Sequence, residues 1–268
     1  MTKIIVAGSF DDLRSRQVRF LQEAAKLGQV EVLLFSDTAA RTLDGREPKF
    51  PQAERQYFVQ ALRYVSRVTL AEGTTPQAVL AQARALKPDL WVVDESRNSF
   101  IEESGINQYL VSEEALKGFP AGAAEGDATP ATHKKVVVSG CYDWLHSGHV
   151  RFFEEVSALG DLYVVVGNDA NVRFLKGAGH PFFVQDERRY MVQAIRCVYQ
   201  ALVSTGWDWL DYAPQVEEVQ PDLFAVNEDG DKPEKRQFCL EHGIEYVVLK
   251  RIPKEGLPRR ESTRLRGF

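Results

Sequence analysis

"GCYDWLHSGHVRFF", residues 140–153, follows a run of valines and carries two histidines three positions apart. A second stretch, "GSFDDLRSRQVRFL" at 8–21, matches it at seven of fourteen positions and lacks both histidines. The register continues with a one-residue shift. "QAERQYFVQALR" at 52–63 matches "QDERRYMVQAIR" at 185–196 in eight of twelve places, and "KPDLWVVDE" at 87–95 matches "QPDLFAVNE" at 220–228. A repeat of this length sets the domain organisation before any element is assigned. We read a tandem duplication: one domain over 1–117, a connector over 118–133 and a second domain over 134–268. The connector, "GFPAGAAEGDATPATH", is rich in Gly, Ala, Pro and Thr and has little to bury.

Within the second copy, "KKVVVSG" reads as a buried strand, "SGHVRFFEEVSALG" as an amphipathic helix closed by Gly160, and "LYVVVGN" as the next strand. A helix over "DERRYMVQAIRCV", a strand near "ALVS", a helix around "WLDYAPQVEEV", the strand "DLFAV", a helix through "PEKRQFCLEHG" and the strand "EYVVLK" complete the alternation. Strands apolar on both faces that alternate with helices imply a parallel sheet wrapped on both sides. The expected fold is therefore α/β: two tandem Rossmann-like domains, each with a parallel sheet of about five strands flanked by helices.

Composition narrows the function classes. A length of 268 residues suits two domains, and a net charge of -5 argues against a protein that coats nucleic acid, while a local pocket for a small anion stays open. Cys141, Cys197 and Cys239 are odd in number and show no C-x-x-C spacing, so neither a disulfide framework nor a metal site is identifiable, and a reducing, cytoplasmic setting is expected. No apolar run approaches the roughly 20 residues that span a bilayer.

His146 and His149 fall in the first turn of the expected helix, at the carboxyl end of a parallel strand, where ligands of such sheets bind. Unpaired backbone N–H groups and the helix dipole favour an anion there. Two imidazoles can donate to phosphate oxygens, and Gly148 between them is expected to let a ligand approach the backbone. The competing reading is a pair of surface histidines at a helix start.

The segment 140–169, with His-x-Gly-His after the first strand, resembles the opening of the cytidylyltransferase-like nucleotidyltransferases. That group includes cytidylyltransferases for glycerol 3-phosphate, phosphocholine and phosphoethanolamine, and the adenylyltransferase of ADP-heptose synthesis. The resemblance implies transfer of a nucleoside monophosphate, CMP from CTP or alternatively AMP from ATP, to a small phosphorylated alcohol or sugar phosphate, with release of pyrophosphate and use of Mg2+. It implies catalytic roles for His146, His149 and Lys176, the lysine of "LKGAGHPFF". It implies nucleotide binding by Gly140, Cys141, Tyr142, Asp143, Gly148, Asp229, Arg251, Ser262 and Thr263. Arg188, Arg259 and Arg260 are further candidates for phosphate contact; for Arg188 a structural ion pair is an equal alternative, because Arg55 keeps it in the first copy.

Two departures from the family pattern stand out. Glu261 sits where an isoleucine is expected in "Arg-x-x-x-Ile-Ser-Thr", so the matching arginine is Arg251, Arg259 or Arg260. "VNEDGD" replaces Gly-Asp-Asp-Trp, which makes CTP a less secure donor. In the first copy the histidines become Arg14 and Gln17, Gly148 becomes Arg16 and Lys176 becomes Asp44. Core positions survive while the phosphate-handling ones change together, the pattern of a domain retained for packing. Two such copies in one chain are expected to form an intramolecular pseudo-dimer, with further homodimerisation open. Readings of other classes are a non-catalytic nucleotide sensor, opposed by the intact set in the second copy, and an RNA-binding basic tail, opposed by the lack of interleaved aromatics. Trp207, Trp209 and Tyr212 are expected in packing rather than base stacking.

Overall fold

Ile4, Ile5 and Val6, like Val136, Val137 and Val138, are fully buried, so both faces of these strands must be covered. Parallel strands with helices on each side satisfy that demand. The computed structural model describes residues 1–95, 104–120, 134–262 and 265, and its chain divides into two compact units, Met1–Gly118 and Phe119–Phe268.

The N-terminal unit runs β1 (Lys3–Gly8), α1 (Ser15–Ala25), β2 (Gln29–Phe35), α2 (Asp37–Leu43), α3 (Gln52–Gln60), β3 (Arg67–Ala71), α4 (Pro76–Ala85), β4 (Leu90–Asp94) and β5 (Gln108–Val111). Its strands are all parallel, in the order β3-β2-β1-β4-β5. The C-terminal unit runs β6 (Lys135–Gly140), α5 (Ser147–Ser157), β7 (Asp161–Val166), α6 (Asp169–Lys176), α7 (Gln185–Gln193), β8 (Val198–Val203), α8 (Ala213–Val219), β9 (Leu223–Asn227), α9 (Pro233–Glu241) and β10 (Glu245–Leu249). Its parallel sheet has the order β8-β7-β6-β9-β10, the same path as in the first unit. These are the two five-stranded, helix-flanked parallel sheets that the alternation implied. In each, the strand order reverses beside the first strand, which opens a crevice at the carboxyl ends.

Local differences from the sequence reading have physical causes. The segment between β7 and α7 holds α6, because Asn168 Oδ1 accepts the Asn171 N–H at 2.8 Å and starts a helix that Gly177, at φ +84°, stops. Lys176 therefore ends a helix. The helix through "DERRYMVQAIRCV" stops at Gln193, since Val198 is already paired with Leu162 in the sheet. At the expected connector, Phe119 and Pro120 offer their carbonyls to Arg189 at 3.5 and 3.2 Å, and the Phe119 ring lies 6.3 Å from Tyr190. Residues 121–133 lie outside the described residues. Among the described residues no helix is long and apolar enough to cross a membrane.

Each unit is tied together at the carboxyl end of its sheet by one buried arginine. Arg188 Nε donates to the Phe183 carbonyl at 2.8 Å, Nη1 to the Cys141 carbonyl at 2.6 Å, and Nη2 to the Gly167 carbonyl and the Asp169 carboxylate, both at 2.7 Å. Arg55 makes the matching set in the N-terminal unit: Phe50 at 3.0 Å, Ser9 at 2.6 Å, Phe35 at 2.9 Å and Asp37 at 2.8 Å. A guanidinium satisfies carbonyls from two strand ends and a loop at once because its donors form a rigid planar fork. Its removal leaves those carbonyls buried without donors. We expect Arg188→Met to cost about 3–5 kcal/mol of stability in urea unfolding, the range for breaking a buried pair from one side; a loss under about 1 kcal/mol would contradict this role.

Candidate active site

The site begins where β6 ends. Gly140 is required there because a Cβ would fall 2.8 Å from the Tyr142 ring, and Tyr142 itself takes a left-handed conformation at φ +51°. Phe10 holds the equivalent place in the N-terminal unit with φ +46°, so this strained turn belongs to the fold of both units. Asp143 secures the turn by accepting the Phe182 and Phe183 N–H groups at 2.7 and 3.2 Å, and its other oxygen lies 3.3 Å from His180 Nδ1.

The turn delivers His146 to the N-cap of α5. His146 Nδ1 accepts the Gly148 N–H at 3.1 Å, and His149 Nδ1 accepts the His146 N–H at 3.3 Å. A ring nitrogen that accepts carries no proton, so each neutral imidazole keeps its proton on Nε2. The rings stack with centroids 3.9 Å apart. Burial pushes the His146 imidazole well below its ordinary range, with His149, Arg251 and Arg260 adding to the shift. Burial first, then the charges of Arg251 and Lys176, lowers His149 to about 3. Both rings are neutral donors at pH 7. His146 Nε2 is buried with no hydrogen-bond partner among the described residues, an arrangement that costs free energy until an acceptor arrives.

Gly148 has a nearer duty than admitting a ligand to the backbone. A Cβ there would come within 3.0 Å of His146 Cε1 and 3.1 Å of Nδ1, so glycine makes room for the capping ring.

The imidazoles open on a pocket of about 630 Å³. Its walls bring together His146, His149 and Lys176 with Gly140, Cys141, Tyr142, Asp143, Gly148, Asp229, Arg251 and Ser262. Arg251 is ion-paired with Asp229 and donates to the Arg260 carbonyl at 2.8 Å, which fixes it against the crevice between β6 and β9. Arg259 and Arg260 line an adjoining recess with Lys250 and Arg151, and Arg251 faces both spaces. Ser262 Oγ donates to the Trp144 carbonyl at 3.2 Å. Thr263 lies outside the described residues. Arg188 is absent from the pocket wall: it is 1% exposed, and its guanidinium donates to three carbonyls and one carboxylate beneath it.

The residues 137–260 match the Cytidylyltransferase-like family model. FAD synthase from Ferroglobus placidus is 35% identical over 125 residues, which is 46% of this chain and 78% of that one. The chain belongs to the cytidylyltransferase-like family. The bifunctional protein HldE of Geotalea uraniireducens is 39% identical over 89 residues, 32% of this chain and 18% of its own. The lipopolysaccharide core biosynthesis protein of Thermoplasma volcanium is a solved structure with 26% identity, covering 44% of this chain and 96% of its own, at a TM-score of 0.38. Membership makes the chain a nucleotidyltransferase with an α/β, Rossmann-like, nucleotide-binding framework.

Several wall residues of this cytidylyltransferase-like unit escaped the sequence reading. Lys235, on the first turn of α9, lies 3.5 Å from Ser139 Oγ and over the faces of Tyr212 and Phe224, and burial lowers its ammonium below the ordinary lysine range. His180, Trp144 and Phe182 line the side of the pocket where α6 ends. Their signals are weak in the chain, because a lone Lys in "KPEKRQ" or a lone His in "GHP" carries no spacing. Of the aromatic cluster "GWDWLDY", Tyr212 is core, whereas Trp207 and Trp209 remain 53% and 46% exposed.

The neutral imidazoles make stability depend on pH. In the unfolded chain both take up a proton below about pH 6.5, while the folded rings resist until near pH 3 for His149. The unfolded state therefore binds more protons in that window, and the rings' contribution to stability is full above pH 6.5 and falls as pH drops, by up to about 1.4 kcal/mol per unit for each ring. Urea unfolding between pH 7 and pH 5 should show this slope, and His149→Gln should flatten it.

Proposed function

We propose that the C-terminal unit transfers AMP from ATP to the phosphate of a small phosphomonoester and releases pyrophosphate. The observation that carries this reading is the stacked imidazole pair at a helix N-terminus, neutral, with both Nδ1 atoms used at the helix start and the buried His146 Nε2–H without a partner among the described residues. Ordinary surface histidines would titrate near pH 6.5 and would not be held in one tautomer. The relatives named FAD synthase build a product with an adenylyl group, which favours ATP over CTP, the donor that the sequence put first. The absence of Gly-Asp-Asp-Trp at 227–230 leans the same way.

In this reading an oxygen of the acceptor phosphate attacks the α-phosphorus in line; the new P–O bond forms as the bond to the β-phosphate oxygen breaks, and pyrophosphate leaves with the electron pair. His146 and His149 donate to the phosphate oxygens on which charge builds, and Lys176 supplies a mobile point charge between acceptor and α-phosphate. Arg251 holds the departing phosphates, with Arg259 and Arg260 in the adjoining recess, and Ser262 and Thr263 complete the phosphate contacts. Gly140, Cys141 and Tyr142 shape the floor, and Asp229 orients Arg251 on the nucleotide side. Arg188 is a positioning residue.

Among the described residues no group of three or more His, Cys, Asp or Glu side chains is placed to hold a metal. Asp143 is committed to two backbone N–H groups and Asp229 to Arg251. Among the described residues the walls do not form a magnesium cage, and in this reading Mg2+ arrives with the substrate, as the counter-ion of the triphosphate.

The N-terminal unit serves packing rather than transfer. Its cradle is filled by its own charges: Arg14 pairs with Asp12 at 2.6 Å, and Arg16 with Asp94 at 2.8 Å and with Glu113. Gln17 Oε1 accepts the Arg14 N–H at 3.1 Å, the capping bond that His149 makes in the other unit, so the helix start survives without the chemistry.

Pyrophosphate release should be seen with ATP and a phosphomonoester, and His146→Ala or His149→Ala should lower turnover about 100-fold or more, the usual loss on removing a transition-state donor. Arg14→Ala should leave turnover within about twofold, because Arg14 is committed to an ion pair with Asp12 within its own unit. Preferential use of CTP would overturn the choice of donor, and tight nucleotide binding without turnover on any acceptor would favour the sensor reading.

A further inference from the structure

Two loops at the carboxyl end of each sheet meet through the same bonds yet carry different side chains. In the N-terminal unit Asp11 accepts the N–H groups of Lys49 and Phe50 at 2.9 and 3.0 Å. In the C-terminal unit Asp143 accepts those of Phe182 and Phe183 at 2.7 and 3.2 Å. The shared bond makes Phe182 the counterpart of Lys49, and the repeat makes Trp144 the counterpart of Asp12. Asp12 and Lys49 close on each other as an ion pair at 3.0 Å. Trp144 and Phe182 instead meet edge to face, with centroids 6.3 Å apart and planes at 88°.

The same backbone bonds form with either pair, so those bonds do not depend on the aromatics, of which Trp144 also packs on Phe183 with centroids 5.8 Å apart. They appear in the unit with the imidazole pair, and both line its pocket. Phe182 leaves 52% of its surface exposed, so beside Trp144 it presents an apolar surface at the pocket wall. The wall stands on the side of Lys176 and His180, while Asp229 and Lys235 stand on the β9 side. An aliphatic phospho-alcohol has no ring to set against such a wall, and a sugar offers only the C–H face of a puckered ring, whereas a planar heteroaromatic offers a full π-face.

We infer that Trp144 and Phe182 determine acceptor specificity: they take the planar ring system of a heteroaromatic phosphomonoester whose phosphate reaches to Lys176 and the imidazoles. This rests on the transfer reaction proposed above and names the acceptor class for the same pocket.

The N-terminal unit supplies the test, because it shows that the loop accepts the charged pair. The full chain is compared with the double variant Trp144→Asp/Phe182→Lys and with Trp144→Phe, each checked for an unchanged circular dichroism spectrum. Flavin mononucleotide is the aromatic probe, read by quenching of its fluorescence without turnover. Glycerol 3-phosphate is the aliphatic probe, read by pyrophosphate release. We expect the flavin to be quenched by the wild-type chain, bound about 10- to 100-fold more weakly by the double variant, as for loss of ring stacking, and largely retained by Trp144→Phe. With ATP, the wild type should prefer the flavin phosphate to glycerol 3-phosphate, and the double variant should lose that preference. Flavin binding unmoved by the double change would overturn the inference. So would weakened ATP binding with flavin binding intact, which would give the wall to the adenine, or a wild-type preference for glycerol 3-phosphate. No pyrophosphate from any pair of substrates would defeat the transfer reaction, and variant-sensitive flavin binding in that case would still support the wall.

Discussion

A single buried guanidinium at the carboxyl end of each sheet is the constraint on which the rest depends. Arg188 and Arg55 each gather carbonyls from two strand ends and a loop, and each holds the aspartate at the start of the following helix. Backbone groups in such loops would otherwise be buried without partners, and leaving them so is costly. With the loops held from beneath, their upper side chains are free to differ. That is why one framework supports an imidazole pair in one unit and a set of salt bridges in the other.

The same logic explains the electrostatics. The helix start at α5 is closed by ring nitrogens, which uses the Nδ1 atoms for structure and leaves the Nε2 protons for a ligand. Burial and the nearby cations Arg251 and Lys176 keep the rings uncharged, so they contribute hydrogen bonds while lysine and arginine contribute charge. At α1 an amide, Gln17, makes the capping bond, and Arg14 and Arg16 are met by Asp12, Asp94 and Glu113. A phosphate approaching that surface would compete with carboxylates already in place.

Much of this was legible in the chain. The alternation of buried strands and helices sufficed for two five-stranded parallel sheets, because fully buried parallel strands read as unbroken valine and isoleucine runs. The histidine pair was visible because its spacing is local. Arg188 was ambiguous for a physical reason: an arginine suits a phosphate or a set of carbonyls equally well, and only the folded loops show which surrounds it. Lys235, Trp144 and the His180–Phe182 loop converge from three segments separated in sequence, and no periodicity marks that convergence. The short helix α6 was hidden because its start depends on one side-chain cap at Asn168 rather than on a long amphipathic pattern. The exposure of Trp207 and Trp209 is a surface property that composition does not reveal.

The central claim is that His146 and His149 are neutral Nε2–H donors waiting for phosphate oxygens. Nitrogen-15 NMR of the two imidazoles at pH 7, recorded before and after addition of ATP, tests it most directly. The account predicts Nε2 protonated and Nδ1 unprotonated in both rings, with the Nε2 signals moving when the nucleotide binds. Imidazolium signals, protons on Nδ1, or Nε2 signals indifferent to saturating ATP would contradict it.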